Sequence, residues 1–207
     1  MIFFEKNSGW TPQIALTRVW QVYRSMHSYT RDTALPIVKS GRNTSIKHIG
    51  SAVIRSGKMV EEITPDETLL FNAFNRESTQ GKIEVMDHAS VLIVKNTTKH
   101  KSKLIDNKPQ MDSDIYLKVV ILETRENPTS DSIKEELKTL LNERFNHMFK
   151  NIQEKEADIL GLGQYFRTKI PREQLKRWRT DYYPQLELNL SVHIDIQNEG
   201  NLNTLSE

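Results

Sequence analysis

The sequence contains no cysteine. That removes disulfides, thiol nucleophiles, cysteine-held zinc and acylated cysteine for these 207 residues. It also lacks any apolar run approaching the roughly 20 residues that a bilayer-spanning helix needs. Met1-Ile2-Phe3-Phe4 is cut short by charge and glycine and does not read as a signal peptide. An excess of one charge is missing too: 29 Lys and Arg against 27 Asp and Glu leave +2. That balance is too even to announce a nucleic-acid or acidic-lipid binder. What is present is ordinary for a globular chain, with 37% hydrophobic and 27% charged residues.

Periodicity divides the chain into elements. Residues 12 to 27 read as a first helix, with Pro12 in its first turn and Ala15, Val19, Val22, Tyr23 and Met26 on one face. Pro36 biases Leu35 toward an extended stretch that ends at Lys39. Ser40-Gly41-Arg42-Asn43 is the best candidate for a domain boundary. A two-strand meander follows from Ser45 to Glu62, turning at Ser56-Gly57-Lys58. Thr64-Pro65-Asp66-Glu67 then opens a helix through reciprocal capping by Thr64 and Glu67.

Residues 82 to 122 read as three strands. If Asp106 sits opposite Pro109, cross-strand partners sum to 215, which pairs Lys103 with Asp112, Lys101 with Asp114 and Leu104 with Met111. Opposite charges then occupy one face and apolar groups the other. Ser132 with Glu135 has capping-box spacing ahead of a long amphipathic helix carrying Ile133, Leu137, Leu141, Phe145, Met148 and Ile152. Two shorter helices are expected over 158–168 and 171–181, parted by Pro171. From Leu186 to Gln197, apolar and polar residues alternate strictly, as in a strand with one dry face. Strands and helices come in groups, so the expected class is α+β: an antiparallel sheet with a long amphipathic helix on one face and shorter helices before the last strand.

No constellation of catalytic residues emerges. Lys99, Lys101 and Lys103 read as a solvated strand face neutralised by Asp112 and Asp114. Gly161-Leu162-Gly163 lacks the third glycine of a dinucleotide loop, Phe166 standing in its place, and reads as a close junction between helices. The six histidines, His27, His48, His88, His100, His147 and His193, show no metal-ligand spacing. No catalytic, cofactor or metal residue is therefore assigned. The densest basic-aromatic cluster is Arg172, Lys176, Arg177, Trp178, Arg179 and Tyr183. In one reading these six form a partner-contact surface. In the other, Leu175, Trp178 and Tyr182 are a buried stripe flanked by solvated cations.

The segment from Glu156 through Asp158, Gly161, Gly163, Tyr165, Phe166 and Arg167 to Lys176 and Trp178 resembles the C-terminal signature of the Ger(x)C family. The turn Asp106-Asn107-Lys108-Pro109 is similar to that family's usual DGKP, with asparagine replacing glycine. The likeness runs from about His48 to Gly200. It implies a C subunit of a nutrient germinant receptor in bacterial spores: a lipoprotein at the outer face of the spore inner membrane, acting with A and B subunits. The lipid-bearing cysteine is missing here, so the chain is read as the C-terminal part of such a protein, with its anchor elsewhere. Residues 1–44 are then the end of a preceding domain, 45–200 the family's C-terminal domain and 201–207 a flexible tail. The resemblance implies a non-enzymatic component without cofactors and without nucleic acid as a partner. A module that binds a small germinant between the sheet and the last two helices is the alternative.

Overall fold

The computed structural model describes residues 14–40, 46–77, 79 and 82–197. The elements run α1 (Val19–Met26), β1 (Thr33–Ser40), β2 (Ile46–Arg55), β3 (Lys58–Ile63), α2 (Pro65–Phe74), β4 (Lys82–Val85), β5 (Ala89–Ile105), β6 (Lys108–Thr124), α3 (Ser130–Glu154), α4 (Arg172–Leu175) and β7 (Glu187–Ile196). Between α3 and β7 lie α4, a 3₁₀ segment at Leu162–Phe166, a π-type turn at Trp178–Tyr182 and a second 3₁₀ turn at Tyr183–Gln185. The expected α+β class is observed. It comprises two sheets: β1-β2-β3, and β4-β5-β6-β7.

Local chemistry sets most boundaries. The Thr64 hydroxyl accepts the Glu67 N–H at 3.2 Å, and the Glu67 carboxylate accepts the Thr64 N–H at 2.8 Å, so the capping box starts α2 as expected. For α3 the cap is Thr129, whose hydroxyl accepts the Ser132 N–H, and not Ser132 itself. The expected first helix shrinks to eight residues, because 14–18 are not helical.

Strands β5 and β6, of 17 residues each, form a long hairpin. Its register differs from expectation by two: Ile105 faces Lys108, Lys101 faces Asp112 and Lys99 faces Asp114. Asp106 and Asn107 are the two central turn residues, with φ of 49° and 63°. The two left-handed residues give the chain the twist that a tight hairpin needs. A shift of two preserves which face each side chain takes. Lys103 still reaches Asp112 diagonally at 3.0 Å. Val94, expected opposite Ile121, is displaced by an irregularity between Ile93 and Lys95, and Val91 takes that place.

The last strand joins the sheet parallel to β6, from Gln110↔Glu187 to Val119↔Ile196. A parallel neighbour requires a long crossover, and α3 with the short helical turns supplies it. Ile133, Leu137, Leu141, Phe145, Met148, Phe149 and Ile152 of α3 are all buried. They close over the sheet face that carries Met111, Ile115, Leu117, Val119 and Val192. Leu188, Leu190, Ile194 and Ile196 of β7 pack against this core half-buried. At about 1.5–3 kcal/mol for each large apolar side chain, this interface is the main stabilising element of the domain.

Candidate functional site

The segment after α3 is held by two acids. Asp158 is fully buried. Its carboxylate accepts the N–H groups of Leu162 and Gly163, both at 2.8 Å, and the indole N–H of Trp178 at 2.9 Å. Burial pushes its carboxyl up to about 6, against the pull of the Gly163 and Leu162 N–H groups and the indole. Gly161 turns with φ of +67°, and Gly163 lies so close under Trp178 that a Cβ there would sit 2.7 Å from the indole and from Thr30. Close passage of two segments, and not phosphate binding, is what these glycines allow.

Asp32, ahead of β1, completes the knot. It accepts the Asp158 N–H at 2.9 Å and takes both arms of the Arg179 guanidinium, at 2.9 and 2.7 Å. Arg179 also donates to the carbonyls of Ser28 and Arg31. Residues 28–32 are thereby fastened to 158–163 and 178–179. Gln164 reinforces this by donating to the Thr30 hydroxyl.

This arrangement sorts the six-residue basic-aromatic cluster. Trp178 and Tyr183 have no exposed surface, and Arg179 is mostly buried in its pair with Asp32. Trp178 and Tyr183 are thus interior residues, and the Arg179 guanidinium is engaged with Asp32. The expected buried stripe of Leu175, Trp178 and Tyr182 is present. Arg172, Lys176 and Arg177 are exposed, with Lys176 beside Glu173 and Arg177 beside Asp181.

Beside the knot opens a cleft of about 740 Å³ between α1 and α4. Tyr23, Arg24 and His27 line it from the α1 side, Tyr29 from the turn before β1, and Arg167, Arg172 and Leu175 from the other wall. Of these, only Arg172 belongs to the cluster singled out from sequence. Arg24 lies 148 positions from it along the chain, and Arg167 five positions before it on the far side of Pro171, so no helical spacing joins the three.

The remaining candidates are local. Lys99 lies over the Tyr116 ring at 5.0 Å and Lys103 pairs with Asp112, on the solvated face of the hairpin. His88 contacts Glu136, His147 contacts Glu67 and His193 contacts Asp114. His100 is enclosed by Phe74, Tyr165 and Ser113, and burial pulls its pKa down to about 4. Among the described residues, no group of three His, Asp or Glu is arranged to hold a metal.

Residues 49–200 match the family described as spore germination B3/GerAC like, C-terminal. This chain belongs to that family. The fold is also that of the crystal structure of the GerBC protein, with a TM-score of 0.71 and 18% identity. The match covers 88% of this chain and 61% of that one, so this chain spans less than two thirds of the length of its structural relative. No curated protein matches. No helix among the described residues is long and apolar enough to cross a membrane.

Proposed function

We propose that this germination-family chain is the C-terminal part of a germinant receptor C subunit, and that it acts through contacts with the A and B subunits and not by catalysis. The family match over residues 49–200 is the observation that carries the reading. The distribution of polar groups supports it: Asp32, Asp158 and Arg179 are spent on fastening segments together. In this reading the full-length protein sits at the outer face of the spore inner membrane on a lipid anchor outside this chain.

The division at residue 44 belongs to the same proposal, with residues 1–44 as the end of a preceding domain. Strand β1 of that segment pairs antiparallel with β2 from Thr33↔Ile54 to Ser40↔Ile46, so hydrogen bonds cross the proposed division. Gly41, Arg42 and Asn43 of the candidate boundary, and residues 201–207, lie outside the described residues. Arg172, Lys176 and Arg177 are the part of the proposed contact surface that reaches solvent.

Co-purification tests the reading. Tagged full-length protein from detergent-solubilised spore membranes should bring down A and B subunits together. Recovery of neither, with the tagged protein intact, would overturn it.

A further inference from the structure

Among the described residues, nothing covers the apolar face of helix α1. Val19 is 87% exposed, Tyr23 68% and Met26 65%, and Tyr29 just beyond the helix is 55% exposed. Side chains of this kind gathered on one short segment mark an interaction site more often than a solvated surface. The neighbouring cleft adds a charge signature. Three guanidinium groups, Arg24, Arg167 and Arg172, line it, and among the described residues no Asp or Glu does. Among the described residues Arg24 and Arg172 form no ion pair, and Arg167 reaches only the side-chain oxygen of Gln164, at 3.2 Å.

We infer that the cleft between α1 and α4 docks an acidic segment of a partner protein, one that places a large apolar side chain between Tyr23, Tyr29 and Leu175 and its carboxylates against Arg24, Arg167 and Arg172. The inference rests on the receptor-subunit reading and adds to it the site and the chemistry of one contact. Each feature selects this occupant. Planar guanidinium groups take carboxylates through paired N–H donors. Exposed aromatic rings give a free phosphate ion nothing to hold, whereas a peptide side chain fills the space between them. A concave site of about 740 Å³ admits a few side chains, while a bilayer engages a flat or convex face. The floor is also fixed in advance: the bonds of Arg179 to Ser28 and of Gln164 to Thr30 hold the backbone beneath the cleft, so little ordering is left for binding.

The test uses the whole 207-residue chain and a fluorescein-labelled short peptide of alternating glutamate and leucine, followed by anisotropy. The peptide should bind saturably, more weakly as salt rises, and about tenfold more weakly to the Arg24→Glu/Arg167→Glu variant. The same peptide with lysine for glutamate should not bind. An unchanged affinity in the variant overturns the inference, as does equal binding of the lysine peptide. Displacement by millimolar inorganic phosphate alone would make the site a simple anion site, and binding only to phosphatidylglycerol vesicles would make it a membrane contact; either result replaces the inference. Should the double variant unfold, the single Arg172→Glu change on exposed α4 provides the same comparison. Recovery of A and B subunits from spore membranes, undiminished by the cleft variant, sinks this site while leaving the receptor reading in place. Recovery of neither subunit by the unaltered protein sinks the reading itself.

Discussion

Asp32 and Arg179, 147 positions apart, meet in a two-pronged ion pair with N–O distances of 2.9 and 2.7 Å, on an acid that is only 2% exposed. Removing the cation strands a buried carboxylate. Arg179→Met should therefore cost about 3–5 kcal/mol in denaturant unfolding. In a double-mutant cycle with Asp32→Asn, the coupling should exceed about 1 kcal/mol. Independent, additive losses would show that the pair is not the clasp.

Gly163 lies against Trp178 and Thr30 at a distance no Cβ can share. Gly163→Ala should destabilise by about 1–3 kcal/mol, and Gly163→Val by more, through crowding of the junction. Lys101→Ala, on the exposed hairpin face, should fall within about 0.5 kcal/mol of the parent. Thermal unfolding of the three variants compares them directly, and the reverse order of severity would refute the packing described.

The hairpin turn offers a second backbone test. Asn107 has a φ of 63°, which asparagine tolerates and β-branched residues do not. Asn107→Val should cost about 1–2 kcal/mol, while Asn107→Gly should cost nothing or stabilise slightly. Urea midpoints of the two variants separate these outcomes.

Two buried groups give stability opposite dependences on pH. Burial lowers His100 to about 4, so its neutral form belongs to the fold. That contribution is complete above its unfolded value of about 6.5 and is lost as pH falls toward 4. Burial raises Asp158 to about 6, so its contribution is complete below its unfolded value near 3.9 and is lost as pH rises through 6. Between 4 and 6 the two oppose each other. His100→Gln removes one of them, so any stability advantage of the parent over this variant should shrink as pH falls from 6.5 to 4. A constant difference across that range would show that His100 does not titrate as its burial dictates.

The elements were legible wherever one residue pattern has one physical solution. Thr64-Pro65-Asp66-Glu67 can cap a helix in one way, and it does. The alternation from Leu186 to Gln197 announced a strand but not its direction, because an edge strand shows the same alternation beside a parallel or an antiparallel neighbour. Hairpin register was off by two for a similar reason: either register keeps lysines opposite acids, and Asp106-Asn107 lacks the glycine that would have marked the turn. The face of α1 was correctly apolar, yet amphipathicity does not say what covers a helix, and Val19, Tyr23 and Met26 lie open. In the basic-aromatic cluster, helical spacing identified the buried Trp178, but its partner Asp158 sits 20 residues away, beyond the reach of periodicity.

The parallel seam between β6 and β7 has a consequence for how the chain reaches its native state. Its two sides are separated by all of α3 and the helical turns that follow it. Until the ribbon at Glu187–Ile196 arrives, the outer border of β6 presents a row of unanswered amides and carbonyls. Closure across so much intervening polypeptide is slow relative to the local β5–β6 hairpin. A product truncated ahead of Glu187 would retain that sticky border permanently, and should self-associate where the intact chain stays dispersed.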